Sequence, residues 1–400
     1  MEASCRPTGS KRPPPDKALA RGFDEPVILP YNVLTTPRQS GYAGALGRRY
    51  PEGAFMLFEK HRLVTLPPAE FSRFIVDEEK CTGCGRCVRS CPIQLLMVNS
   101  EGKAVPNERY DHFRCITCQN CLAACPQQAV TIEGEYRVPA GYWKNAHLYR
   151  NGKTPPLPIP DRPDYAACRD ELTETEQVIY NRRSIRLYKK KPVPRELVHR
   201  VIEAGRFAPS AGNNQPWKFI VIQDKELIDE IDRKCKKFCR LVMRCTMPRP
   251  WIDKQVPGDK QARMRLWQKA LTRLMIALRG PNELDPRARG GINAIASDPE
   301  YHTFFHAPVL IILLADKRGI GSIELDTGIC GQNMVLAAHS LGLGTCWVSL
   351  IDGLQGYPKF KKQLGITAPF EIVSSLTLGY PSGQVDNIVK REQARVEWFG

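Results

Sequence analysis

Two cysteine runs of identical spacing constrain this chain more than anything else in its 400 residues. The first reads Cys81-Thr-Gly-Cys84-Gly-Arg-Cys87-Val-Arg-Ser-Cys91-Pro92. The second reads Cys115-Ile-Thr-Cys118-Gln-Asn-Cys121-Leu-Ala-Ala-Cys125-Pro126. In a C-x2-C-x2-C-x3-C-P run, three closely spaced thiolates can take three corners of one iron–sulfur cubane. The fourth, followed by proline, leaves the loop and ligates the other cluster. That rule predicts two [4Fe–4S] clusters with crossed ligands, one on Cys81, Cys84, Cys87 and Cys125, the other on Cys115, Cys118, Cys121 and Cys91. Zinc also accepts C-x2-C pairs, but two complete four-cysteine runs, each with its proline, weigh against it.

The remaining composition sets the class. Fifteen cysteines in a chain this long, an odd number with eight in two metal-ligand runs, favour a reducing compartment over a disulfide framework. Oxygen-sensitive clusters point further, to an anaerobic or low-oxygen cell. Hydrophobic residues make up 42% and charged residues 25%, as in a globular protein. The longest apolar stretch, Pro308–Ala315, has strand length, well short of the roughly 18 residues of a membrane span. The first residues show no apolar signal core, and Arg48-Arg49 lacks the hydrophobic segment a twin-arginine signal needs, so a cytoplasmic protein is expected. The net charge of +16 is uneven: Asp232–Arg289 holds sixteen Lys/Arg against five Asp/Glu.

Along the chain, residues 1–70 are rich in Pro, Gly and Arg and read as an extended or partly disordered segment, with Phe55–Phe58 as an apolar anchor. Residues 71–136 form the cluster module, opened by a strand at Phe74–Val76 and closed by one at Ala129–Ile132. Residues 137–172 are a proline-rich linker. From 173 to 400, helices and strands alternate. Helices are expected at Glu174–Asn181, Arg195–Ala208, Gln261–Arg279 and Thr327–Leu341. Strands are expected at Trp217–Gln223, Val309–Leu314, Thr345–Ser349 and Glu371–Leu378.

This second half carries its own chemistry. Arg182, Ser184 and Arg186, in Asn181-Arg-Arg-Ser-Ile-Arg186, share one face if extended and suit a phosphate, which wants guanidinium forks and a hydroxyl donor. Ser210, Asn213 and Gln215 lie in the Pro-bounded turn Ala208-Pro-Ser-Ala-Gly-Asn-Asn-Gln-Pro-Trp217 and offer small donors and acceptors. Gly342 and Gly344 would let backbone approach a flat ring closely. No G-x-G-x-x-G sequence supports a Rossmann dinucleotide site.

Those segments, with Gly342-Leu-Gly-Thr-Cys-Trp347 and the helix Asp326–Met334 between them, occur in the order seen in the nitroreductase family of FMN enzymes. The chain therefore resembles that family from about residue 174, fused to a bacterial-type two-cluster ferredoxin domain, with residues 232–290 as a basic insertion. The resemblance implies an α+β fold: a ferredoxin-like module, then a flavin domain with a central sheet flanked by helices. It implies FMN held at its phosphate by Arg182, Ser184, Arg186 and Arg391, with Arg183 a further cofactor contact. Pro209, Ser210, Asn213 and Gln215 would lie at the ring and ribityl chain, and Leu343 and Gly344 near the reactive nitrogen. It also implies an intertwined homodimer with FMN at the interface, and a C-terminal Val396–Phe399 tail available to a partner subunit.

Together the two halves describe an oxidoreductase that passes electrons between clusters and flavin to reduce a small organic acceptor. Ferredoxin or another low-potential donor would load it. No catalytic acid or nucleophile is required. Alternatives are a non-catalytic electron-transfer subunit, or a flavin dehydrogenase exporting electrons through the clusters. The basic insertion could favour an anionic substrate or dock an acidic ferredoxin. Nucleic-acid binding is not expected, because the basic run has no recognition motif or aromatic platform. Cys235, Cys239 and Cys245, and the His302/His306 pair, read as packing or hydrogen-bonding residues rather than metal ligands. Cys330 and Cys346 read as core.

Overall fold

In a computed structural model the described residues are 72–108, 110, 115–134, 153–159, 161–246, 267, 270, 286–383, 387–392, 394 and 396–399. The expected N-terminal segment, the first part of the linker (137–152) and most of the helix at 261–279 lie outside them.

The first part is a duplicated loop between two paired strands. Strand β1 (Arg73–Val76) runs antiparallel to β4 (Val130–Glu133), with Phe74 opposite Ile132. Between them come helix α1 (Arg86–Ser90), the hairpin of β2 (Leu96–Val98) and β3 (Ala104–Pro106), and helix α2 (Asn120–Ala123). Phe74, Leu96, Ala104, Ala129 and Val130 bury their side chains against Cys87, Cys121 and Cys125. The two cysteine runs share a backbone path. Gly83 and Gly85 sit at φ 66° and 65°, and the equivalent Thr117 and Gln119 both at 59°.

The second part opens with β5 (Lys153–Thr154), α3 (Tyr165–Cys168) and α4 (Glu174–Asn181). Helix α4 starts at a capping box: Glu176 N–H donates to the Thr173 hydroxyl, and Thr173 N–H donates to the Glu176 carboxylate. It stops at Arg182, where the backbone turns extended. Then follow α5 (Arg195–Arg206), β6 (Trp217–Ile222), α6 (Lys225–Thr246), α7 (Pro286–Ser297), β7 (Val309–Asp316), α8 (Ile323–Ser340), β8 (Gly344–Trp347), α9 (Pro358–Gln363), β9 (Phe370–Gly379) and β10 (Arg391–Glu392).

The sheet order is β6-β7-β9-β8, every pair antiparallel. Strand β7 is an uninterrupted apolar run because both of its faces are covered. One face packs with Ile228, Ile231 and Cys235 of α6, and with Phe304. The other packs with Val198 and Val201 of α5 and Met334 and Ala338 of α8. The sequence places the start of the basic insertion at residue 232, but the structure places it inside the core. Helix α6 begins at Lys225, and Ile231, Asp232, Cys235, Lys236 and Cys239 are all buried.

The cluster module rests on the flavin half through Ile93 and Leu95 packed on Ala294 of α7, and through Tyr301, whose hydroxyl donates to Pro92 O at 3.1 Å. No helix of the described residues is long and apolar enough to cross a membrane.

Candidate functional site

The eight run cysteines fall into two groups. Cys81, Cys84, Cys87 and Cys125 line one small cavity. Cys91, Cys115, Cys118 and Cys121 line another. This is the crossed grouping that the spacing rule requires, with the last cysteine of each run facing the other run's cavity. Burial raises the thiols of Cys87 and Cys91 to about 11, and that of Cys121 well above its ordinary value. Neighbouring cysteines of the same group push in the same direction. Iron must therefore displace protons to bind there. Among the described residues no three His, Cys, Asp or Glu side chains converge as closely as a single metal ion requires.

The phosphate candidates sit beside β8. Ser184 forms a parallel bridge with Thr345, and Ile185 N–H donates to Thr345 O at 2.8 Å. Alternation then separates the side chains of this segment. Arg182, Ser184 and Arg186 take one direction, Arg183 and Ile185 the other. The Arg182 guanidinium is held below its usual range by burial and by the nearby charge of Arg391, and no carboxylate among the described residues pairs with either. Arg186 stacks over Phe305 at 5.5 Å, and its Nε and Nη1 are buried without a partner. Two neighbouring guanidiniums and, further along the same face, a third with buried N–H donors make a cationic cradle suited to an anion. A flavin phosphate and ring edge fit that description.

Three expected contacts have a different structural role. Arg183 is buried and donates to the backbone oxygens of Asn387, Tyr180 and Arg182, at 3.0, 2.5 and 2.7 Å, so its guanidinium braces the chain. Gly344 makes its close approach to Ile185, where an added Cβ would lie 2.5 Å from Cγ1, while Leu343 is buried in the core. Gly342, at φ 71°, ends α8 by a left-handed turn.

Ser210, Asn213 and Gln215 cluster in the loop before β6. Gln215 N–H donates to Ser210 Oγ at 2.9 Å, and its side-chain amide donates to Asn213 Oδ1 at 3.1 Å. Asn213 and Gln215 have φ of 53° and 49°, a conformation that costs non-glycine residues about 1–3 kcal/mol and concentrates at ligand sites. Pro209, Asn213 and Gln215 are exposed. Within one chain this loop does not meet Arg182–Arg186. It lies where Trp217 pairs with Ala315 and Ala315 with Glu371, whereas Ser184 lies beyond Thr345, which pairs with Leu378. These are diagonally opposite corners of the sheet, on the order of 30 Å apart at ordinary strand spacing and rise.

The two modules meet at a cavity of about 910 Å³ whose lining includes Arg89, Cys91, Arg186, Lys189, Tyr301 and Phe305. Its wall at 298–306 is pinned from α6: Lys236 Nζ donates to Pro299 O and Tyr301 O at 2.6 and 2.5 Å, and Thr303 N–H donates to Asp232 Oδ1 at 2.7 Å. His302 Nε2 bonds Asp229 at 3.0 Å, and its ring lies 4.1 Å from that of His306, so the pair is spent on hydrogen bonding and packing. Burial lowers His306. Cys235, Cys239, Cys330 and Cys346 are buried, and the Cys245 side chain lies outside the described residues.

Apart from Arg391, sequence reasoning missed the segment 387–392. Asn387 Nδ2 donates to Leu122 O at 3.0 Å and to Cys125 O at 2.7 Å. Gln119 accepts from Lys390 N–H at 2.8 Å and donates to Lys390 O at 3.0 Å. Its partners are main-chain atoms remote in sequence, which no motif announces.

The sequence model of the Nitroreductase family matches residues 179–380, and that of a 4Fe-4S dicluster domain matches residues 80–130. A 4-nitrobenzoate reductase of Pseudomonas putida is 27% identical, over 51% of this chain and 84% of its own length. A 4-nitrobenzoate reductase of Nocardioides sp. is 29% identical, over 52% and 81%. Among solved structures, a nitroreductase with bound FMN from Bacteroides fragilis covers 57% of this chain and 98% of its own at 21% identity, with a TM-score of 0.39. With the family match spanning half of the chain and a ferredoxin-type domain preceding it, this protein belongs to the nitroreductase family of flavin oxidoreductases.

Proposed function

We propose that the chain is an FMN-dependent oxidoreductase in which two [4Fe–4S] clusters exchange electrons with the flavin site, and that it reduces a small, anionic organic acceptor. When bound, FMN takes two electrons and passes them on singly or together with a proton as hydride, while each cluster carries one. Cys81, Cys84, Cys87 and Cys125 would hold one cluster, and Cys91, Cys115, Cys118 and Cys121 the other. Arg182, Ser184, Arg186 and Arg391 would hold the FMN phosphate and ring edge.

The observation that carries the reading is the closeness of the second cysteine group to the cationic cradle. Ser90 and Asn120, next in sequence to Cys91 and Cys121, share a small cavity with Ala123, Ala124 and Arg183–Leu187. The junction cavity supports the acceptor class: Arg86, Arg89, Arg186, Lys189 and Lys190 outnumber Asp298 and Glu300 in its lining, so an anion is favoured there beside Cys91.

The diagonal placement of the two loops supports a homodimer in which the Ser210–Gln215 loop of one copy completes the cradle of another. Phe207, Ile320 and Leu325, large and exposed, surround that loop and suit a buried contact.

Anaerobic stopped-flow tests the function. Protein carrying about eight irons and one FMN per chain is mixed with reduced ferredoxin, NADH or NADPH, then with a panel of carboxylated nitro and related acceptors. Flavin reduction by ferredoxin that follows cluster reduction, with turnover favouring anionic acceptors, is the expected result. Protein loaded with iron that shows no affinity for FMN would sink the proposal.

A further inference from the structure

We infer that Gln119 is a positioning residue that couples the second cluster to the FMN phosphate site, so that flavin binding and the state of that cluster influence each other. The inference rests on the reading of Arg182 and Arg391 as phosphate ligands and of Cys118 and Cys121 as cluster ligands.

The argument begins with the duplicated loop. At the position after its second cysteine the first run has Gly85 and the second has Gln119, and both take the same left-handed backbone, φ 65° and 59°. Glycine adopts that conformation without steric cost and glutamine does not. Nothing in the loop itself asks for a side chain there, since the first copy manages without one. The Gln119 side chain instead reaches out of its module, is buried to 4% exposure, and grips both main-chain groups of Lys390.

Lys390 immediately precedes Arg391, whose charge acts on Arg182. The segment has a second tether at Asn387, which bonds the carbonyls of Leu122 and Cys125 while its own carbonyl accepts from Arg183. Arg391 and Glu392 are then laddered onto Lys153–Thr154. A strap fixed to the loop between Cys118 and Cys125 thus carries a phosphate ligand. Whatever reshapes that loop moves Arg391, and by linkage whatever holds Arg391 acts back on the loop.

The full chain with clusters in place and flavin removed is titrated with FMN, following flavin fluorescence with the clusters oxidised and, in parallel samples kept under excess reductant, the EPR spectrum of the reduced clusters. In the wild type, FMN binding should shift the spectrum of the nearer cluster. Gln119→Gly should keep its iron, because its backbone is relieved, yet bind FMN about 5-fold or more weakly and leave the spectrum unmoved. Should that variant lose iron, Asn387→Ala carries the same test from outside the cysteine run, with the same expected result. Wild-type FMN affinity with a spectrum that still responds, in Gln119→Gly or its substitute, overturns the coupling. Arg391→Ala separates the two claims: if it loses FMN while Gln119→Gly does not, only the coupling fails. If Arg391→Ala binds FMN as the wild type does, the phosphate assignment fails and takes the coupling with it.

Discussion

At the scale of single residues, the second cysteine run takes on strained backbone that its first copy avoids. Thr117 and Gln119 accept left-handed backbone where the first run uses Gly83 and Gly85, and each is repaid by a side-chain bond, Thr117 with Ser72 Oγ at 2.9 Å and Gln119 with Lys390. The cysteine thiols follow a similar logic. Burial raises Cys87 and Cys91 to about 11, so the iron-free chain keeps those protons at neutral pH, whereas ligation to iron removes them. The iron-free form therefore binds more protons, and acid should favour it. Cluster loading, measured as iron per chain after anaerobic reconstitution, should fall on going from mildly alkaline to mildly acid buffer. Loading that rises toward acid would contradict the assignment. The run spacing made these cysteines legible from sequence, because a cubane imposes a local pattern. Arg183 was not legible in the same way. Its partners are backbone oxygens, and only the alternation of an extended segment shows that it points away from Arg182 and Arg186.

At the scale of elements, α6 is the instructive case. Its surface charge made the stretch from residue 232 look like an addition to the fold, yet Ile228, Ile231 and Cys235 belong to one face of the core. A helix that is basic on one side and apolar on the other gives a composition signal from the side that does not fold it. The strands were easier. The apolar run at β7 and the continuous buried stretch at the end of β9 are set by burial on both faces, and the structure gives Val309–Asp316 and Phe370–Gly379 against expectations of 309–314 and 371–378. Within α6, Lys236 is buried and holds the cavity wall by two carbonyl oxygens. Lys236→Met keeps the aliphatic stem and removes both bonds. It should cost about 1.5–3 kcal/mol, seen as a lower midpoint of thermal unfolding. Faster amide exchange confined to residues 298–306 would localise the effect.

At the scale of the whole molecule, the two loops of the proposed cofactor site lie on opposite corners of one sheet, and motif spacing alone could not show this. Motif order along a chain says nothing about which copies of the motifs meet in space. Under the proposed pairing, mixing should recover what single variants lose. Arg391→Ala and Asn213→Ala proteins, each poor in FMN, should regain binding when co-expressed, because each mixed pair assembles one site free of both lesions. The comparison is FMN per chain in the purified mixed pair against either parent. No gain in the mixed pair would mean that the two loops serve different ligands.

The diagonal split also bears on the life of a newly made chain. Under that pairing, a polypeptide with its clusters already loaded has no complete seat for the flavin until a second copy arrives. Electrons on its clusters then have no flavin through which to reach a small organic acceptor. Pairing would act as a safety catch, and the prosthetic group would belong to the assembly rather than to either polypeptide.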